Sequence, residues 1–438
     1  IIGEADLEKE ISKFSIDSRI VDDSTFFIPL KGENSDGHDY INSAFEKGAI
    51  GTFTSKEIDA IPEKVIIKVD DTLVAMQNVA KKLREKIKNI PLIAITGSVG
   101  KTTTKDMVYA VLNSKYRTLK TRGNFNNNIG MPLTLINYAN EEAIVLEMGM
   151  NHFGEISFLS GIAKPDTAII INVGHSHIGN LGSRENILKA KMEIVDGMTN
   201  DGTLVINGDN DMLKKVKNTK QKLTKFGFKD ANDVTAYNIR VSDNATEFMV
   251  KEDEKEYKVK LNLVGENFIY NALAAWVIGK IYGITPEDRV KALANCEFTK
   301  MRMNIETKND IILINDCYNA SPESMKVALE ALSKQDAKRK IAILGDMLEL
   351  GEYSDKLHEE VGENVAKNKI DKLYTVGKLA KNIKQGAINE GMDEQNIKSF
   401  NTLEELLNEL KNLIQKGDAV LVKASRAMSF EKIINELV

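Results

Sequence analysis

The run Gly97-Ser98-Val99-Gly100-Lys101-Thr102-Thr103 combines the residue types that grip a nucleotide's phosphates. Its glycines let the backbone approach phosphate oxygens, Lys101 supplies positive charge near the terminal phosphates, and Thr102 offers a hydroxyl to a magnesium ion. The common spacing G-x-x-x-x-G-K-[ST] would put the first glycine at position 95, where the chain has Ile95, so this loop is more compact than the usual form. It follows the apolar run LIAI and opens the helical pattern TTTKDMVYAVL, an arrangement that aims N–H groups and the helix dipole at an anion. Nucleotide binding is therefore expected, against the alternative of a glycine-rich turn with a solvated lysine. One acid at the tip of a neighbouring parallel strand would complete a metal site, and Glu147 in AIVLEMGMNHFGEI stands there. The alternative for Glu147 is a salt-bridged or solvent-facing carboxylate. His175 and His177 end the next apolar run and are candidates to flank a metal position, although a loop histidine more often makes an ordinary polar contact.

These residues must be held by strands and helices, and the pattern supplies them. Short β-rich runs alternate with helical stretches along most of the 438 residues, which predicts an α/β protein with mostly parallel sheets. Three domains are expected. Residues 1–88 form a small α/β unit of short strands and polar turns. Residues 89–298 form a central nucleotide-binding unit entered through Pro91, and residues 299–438 form a Rossmann-like, doubly wound unit of its own. Charge is dense but balanced, with 59 Lys+Arg against 64 Asp+Glu, so nothing calls for a nucleic-acid partner or a membrane surface. No apolar run approaches the about 18 residues of a membrane span. IIGEADLEKEISKF lacks a signal-peptide layout, and Cys296 and Cys317 have no metal-like spacing. A cytoplasmic protein with buried, unreactive thiols is expected, as a monomer.

The tight loop Thr96-Gly97-Ser98-Val99-Gly100-Lys101-Thr102-Thr103 resembles that of the Mur ligases, the ATP-dependent amide-forming enzymes of peptidoglycan precursor synthesis. The resemblance runs over the whole chain through DSR and FFIPLKGENSDGHDY, GNFNNNIGMPLTL, LEMGMNHFGEI, GSRENILKAKMEI, DCYNASPESM and LGDMLELGEYS. It implies ATP and magnesium as cofactors. The implied substrates are a UDP-N-acetylmuramoyl-tripeptide and D-Ala-D-Ala, joined through an acyl phosphate with release of ADP and phosphate. Thr102 and Glu147 would hold one magnesium ion, Glu147 and His177 a second, and Lys191 of KAKMEI, followed by Glu193, would be carbamylated in support. Without the resemblance, Lys191 reads as a solvated helix lysine.

By the same resemblance Asn271 lies near the adenine or its sugar, Arg302 reaches the γ-phosphate and Asp316 binds the ribose. Asn126 and Asn127 line the passage to the peptide carboxylate, and Tyr318, Asn319 and Ser321 are candidates for the dipeptide or peptide end, with a helix expected to begin near Glu323. Ser18, Arg19, Lys31, Gly32, Asp36, Gly37 and His38 resemble the surface that holds the uridine diphosphate, although each taken singly reads as a solvated loop residue. The chain departs from the pattern at Asn128, where the family often has Glu, at Glu266, where it often has His, and at Ser321, where it often has Asn. Other readings are a sister ligase adding one amino acid, a folylpolyglutamate synthase-like ligase, a phosphate-loop switch or kinase that makes no amide bond, and a non-catalytic nucleotide-binding scaffold.

Overall fold

The computed structural model describes residues 1–2, 10–217, 219–242, 244–299 and 304–437. Three sheets follow one another along the chain. The first is a small parallel sheet of Lys13–Ser15, Thr25–Phe27, Gly51–Thr54 and Val65–Lys68 in that order. From it the helix Thr72–Lys86 leads toward the middle sheet; Asp71 starts this helix by accepting from the backbone N–H groups of Leu73 and Val74. Buried Arg84, near its end, ties the connection by donating to the carbonyls of Ala163, Ile87 and Ile90.

The middle sheet places Leu92–Thr96 between Thr167–Ile170 and Ala143–Glu147, all parallel. All five residues of Leu92–Thr96 are buried, as its unbroken apolar run requires of a strand covered on both faces. Chain order reverses on either side of this strand, so a crevice opens beyond its C-terminal end. There the tight loop turns into the helix Lys101–Asn113. Further strands extend the sheet through Thr203–Asn207 and Lys222–Gly227 to an antiparallel meander, Val234–Val241, Thr246–Glu252 and Lys255–Leu261. Apolar on every side and almost wholly buried, the helix Asn267–Ile281 packs on Lys101–Asn113 and backs the loop. Its Trp276 is fully buried; the indole N–H donates to Glu252 Oε2 at 2.6 Å, and the Arg289 guanidinium stacks 4.3 Å from the ring.

The third sheet runs Asn304–Lys308, Ile311–Asn315, Asp418–Lys423, Arg339–Gly345, Lys372–Val376 and Ile397–Phe400, parallel except for its first pair. The helix after its second strand is Pro322–Ser333, one residue earlier than the expected start near Glu323. Ser321 and Ser324 form a reciprocal capping box, and Pro322 takes the first helical position, where its missing N–H costs nothing. Among the described residues no helix is long and apolar enough to cross a membrane.

Candidate functional site

A cavity of about 2010 Å³ lies between the middle and third sheets. Its wall contains Ser98, Val99, Gly100, Lys101, Thr102, Thr103, Asn126, Asn127, Glu147, His177 and Asn271 from the middle segment, and Asp316, Tyr318, Asn319 and Ser321 from the third. Gly97 lies just outside that lining, where a Cβ would meet Ile171 at 3.3 Å.

The loop is shaped by its own backbone and by one residue that the sequence reading missed. Gly100 has φ +82°, a left-handed conformation that glycine adopts without strain, and it starts the helix Lys101–Asn113. Asn172, at the end of the neighbouring strand, accepts from Val99 N through its Oδ1 at 3.0 Å and donates from Nδ2 to Val99 O at 3.0 Å. Its carbonyl accepts from Ser98 N, and Ser98 Oγ in turn accepts from Gly174 N. The loop is thus stapled to the strand beside it before any ligand arrives. A polar residue closing an apolar strand was the available signal. The Lys101 ammonium folds back to the carbonyl of Gly97 at 2.8 Å, and Asn271 abuts Gly100, where a Cβ would lie 3.0 Å from its Oδ1.

Glu147 is 1% exposed at the tip of its strand. Its Oε2 accepts from the Thr102 hydroxyl at 3.0 Å and its Oε1 from the Asn126 amide at 2.8 Å. No ion pair reaches it among the described residues. The buried Lys105 ammonium lies near enough to interact with its charge, and hydroxyl and carboxylate oxygens suit a hard divalent cation. Among the described residues no three His, Cys, Asp or Glu side chains form a preformed metal cage.

His177 precedes the short helix Ile178–Leu181 in a left-handed conformation (φ 65°), and its Nδ1 is hydrogen-bonded to Glu349 Oε2 at 2.5 Å. The imidazole therefore bridges to the third segment, and that contact holds the Glu349 carboxyl below its ordinary range. His175 does the same with Glu323, whose Oε1 takes the His175 backbone N–H at 2.8 Å and its ring Nδ1 at 2.7 Å. Among the described residues, none gives the other carboxylate oxygen of Glu323, which is buried, a hydrogen bond. Glu323 and Glu349 were not singled out from sequence, because their partners lie far away in the chain.

Lys191 is only 2% exposed, so a solvated lysine is not what the fold contains. Burial pushes its amine well below the ordinary range, the nearby charge of Lys101 adds to this, and Glu323 pulls the other way. Glu193 points elsewhere: it accepts from Gly154 N and Ser157 N and so caps the helix Glu155–Ala163. Asn127 likewise caps a helix, accepting from Gly130 N at 2.8 Å, and the Asn128 carbonyl accepts from Gln77.

On the third segment, Asp316 is buried, and Lys423, also missed from sequence, donates to its Oδ2 at 2.5 Å and to the carbonyl of Asn319 at 2.8 Å. Ser321 is the helix cap already described. Arg302 lies outside the described residues. Cys296 and Cys317 have thiols pushed up by burial to about 12 and about 11, which makes them unreactive.

The first-segment candidates are away from this cavity's lining. Arg19 forms a two-pronged pair with Asp17, whose carboxyl is held down to about 2 by it. Asp36 accepts from the His38 backbone and ring and pairs with Lys56 at 3.0 Å, while the backbones of Lys31 and Asp36 form an isolated antiparallel bridge across a turn. Gly37 is tight against Leu30, where a Cβ would lie 2.6 Å from Leu30 N. Gly32 N donates to the Ser35 carbonyl, and the Ser18 carbonyl accepts from Lys47.

A phosphate loop at a switch point, an acid at the adjacent strand tip and a second α/β unit closing over both define a nucleotide-dependent α/β protein whose cleft is shared by two segments. Three family models match in succession: Mur ligase family, catalytic domain, over residues 10–90; Mur ligase middle domain over 95–279; and Mur ligase, glutamate ligase domain, over 301–426. The chain belongs to the Mur ligase family. It is 41% identical over 426 residues to UDP-N-acetylmuramoyl-tripeptide-D-alanyl-D-alanine ligase of Bacillus subtilis, covering 96% of this chain and 92% of that one. Among solved structures it resembles MurF from Acinetobacter baumannii, with a TM-score of 0.86, 32% identity and coverage of 97% and 93%. MurF ligase from Thermotoga maritima in complex with ADP gives a TM-score of 0.82 at 30% identity, covering 99% of this chain and 98% of that one.

Proposed function

We propose that this chain uses ATP to join D-Ala-D-Ala to a UDP-N-acetylmuramoyl-tripeptide. The γ-phosphoryl group passes to the tripeptide's C-terminal carboxylate, giving an acyl phosphate and ADP. The dipeptide's amine then attacks the acyl carbon, phosphate leaves, the amine loses a proton, and the product is the UDP-linked pentapeptide. The observation that carries this reading is the single cleft in which the phosphate loop and Glu147 face Asp316, Tyr318 and Asn319 of the third segment. Likeness over nearly the whole chain to a UDP-N-acetylmuramoyl-tripeptide-D-alanyl-D-alanine ligase supports this choice of acceptor.

Two anions, a carboxylate and a triphosphate, must be brought together, so charge neutralisation dominates the chemistry. Loop N–H groups and Lys101 would take the phosphates, with Gly97, Ser98, Val99, Gly100 and Thr103 shaping the cradle. Thr102 and Glu147 would hold magnesium, with His177 joining once released from Glu349; the ion supplies Lewis-acid charge neutralisation when bound. Asn126 fixes the Glu147 carboxylate. Lys191 would act as a carbamate, and its depressed amine supports this, because carbon dioxide adds to the neutral amine and not to the ammonium. Asn271 and Asp316 would take the nucleoside, Arg302 the γ-phosphate, and Tyr318, Asn319 and Ser321 the dipeptide end. We assign residues 1–88, with Ser18, Arg19, Lys31, Gly32, Asp36, Gly37 and His38, to the uridine diphosphate, 89–298 to ATP, and 299–438 to ATP and the dipeptide.

Phosphate release with ATP and each UDP-tripeptide, assayed against D-Ala-D-Ala, D-Ala-D-lactate and D-Ala, tests this. Release that requires D-Ala-D-Ala is the expected result. Release with a single amino acid alone, or without any acceptor, would replace the reading with a sister ligase or a nucleotidase.

A further inference from the structure

The acceptor in this reaction is a zwitterion whose amine reacts while its C-terminal carboxylate is carried through unchanged. A persistent anion in a partly dry cleft needs a fixed cation. Building on the ligase reading above, we propose that Arg426 binds the free carboxylate of the incoming dipeptide and so sets its length.

Among the described residues, the lysines and arginines on the cavity wall are Lys101, Lys326, Lys334, Lys423 and Arg426. Lys101 belongs to the phosphate loop. Lys423 is 1% exposed and committed to Asp316 and the Asn319 carbonyl, where it shapes the loop instead of meeting a ligand. Lys326 and Lys334 are exposed lysines on and just after the helix Pro322–Ser333, compact charges on flexible stems.

Arg426 differs in being held. It opens the turn Arg426–Met428 two residues beyond the strand Asp418–Lys423, and the preceding Ser425 anchors that turn by donating from its N–H to Asp346 O at 3.1 Å and accepting from Leu348 N through its Oγ at 2.9 Å. The guanidinium stands 6.0 Å from the Tyr318 ring centre, beside the loop that leads to Asn319. One Nη1 donor pairs with Glu431 Oε2 at 3.1 Å, which fixes the plane of the fork. No described residue takes the Nε and Nη2 edge, the side chain is 54% exposed, and this edge matches a carboxylate with two parallel hydrogen bonds. A single amino acid carries its carboxylate one residue nearer the amine, about 3.5 Å. A cation on this wall that meets the dipeptide's carboxylate would thereby favour D-Ala-D-Ala over D-Ala.

The test compares wild type, Arg426→Ala and Arg426→Lys in the full-length protein, with D-Ala-D-Ala and its C-terminal carboxamide as acceptors. In wild type the carboxamide has the higher KM. Arg426→Ala raises KM for the acid about 10- to 100-fold, as loss of a two-pronged charged contact should. The same variant no longer distinguishes acid from amide, Arg426→Lys is intermediate, and calorimetric ADP affinity is unchanged. An Arg426→Ala protein that binds ADP normally yet keeps the wild-type KM, or keeps the preference for the acid, overturns the assignment. Wild-type protein that releases no phosphate with either dipeptide instead fails the ligase reading itself, and the Arg426 assignment with it.

Discussion

At the scale of single residues, Lys191 departs furthest from its sequence environment. A lysine in KAKMEI reads as solvated helix surface, yet here it is buried beside Lys101 and Glu323 with its amine driven toward neutrality. Lys191→Ala is expected to abolish phosphate release and to regain part of it when short carboxylates are added; full activity without them would sink the carbamate role. The phosphate loop was legible in sequence because its chemistry is local, with glycine, lysine and threonine acting within one turn. Lys191, Lys423, Asn172, Glu323 and Arg426 were not legible in the same way. Each is defined by a partner from a distant segment, and no local spacing encodes that meeting. Resemblance alone singled out Lys191; Asn172 left only the faint signal of a polar residue closing an apolar strand, and the other three left none.

At the scale of elements, the strands that deliver Glu147 and the loop were readable as buried apolar runs, and Pro322 with Ser321 marked a helix start to within one residue. The antiparallel meander over 234–261 was less readable, because its alternating polar and apolar residues belong to a half-exposed edge of the sheet. One element carries a pH dependence. His358, in the helix Ser354–Lys367, is fully buried, and its Nε2 accepts from Met347 N at 2.9 Å, so it must stay neutral. Burial lowers its proton affinity below the ordinary 6.5. The unfolded chain therefore takes up the proton first, and stability that is complete above about pH 6.5 declines as pH falls through that value. Urea midpoints measured between pH 8 and 5 should fall at the acid end for wild type and fall less for His358→Gln. Equal slopes for the two proteins would remove this account.

At the scale of the whole molecule, the middle and third segments meet where two glycines leave room. Gly179 N donates to the Glu349 carbonyl, and a Cβ on Gly179 would stand 2.6 Å from Gly351 N. His175 with Glu323 and His177 with Glu349 close the same seam. Because the obstruction is backbone, Gly179→Ala should wedge the segments apart. Small-angle scattering is expected to give a larger radius of gyration for this variant, and an unchanged radius would show that the seam yields. Three sheets in series were foreseeable from the repeating strand and helix pattern, whereas this seam was not, since glycine in a sequence does not announce what lies against it. The lone tryptophan has a different consequence. Trp276 is sealed inside the middle core, clamped between Arg289 and Glu252, so the chain's indole emission reports on that core alone. Melting of the first or third unit would pass almost unseen in fluorescence while circular dichroism records it. A gap between the two optical traces would then be a direct reading of how independently the three units come apart.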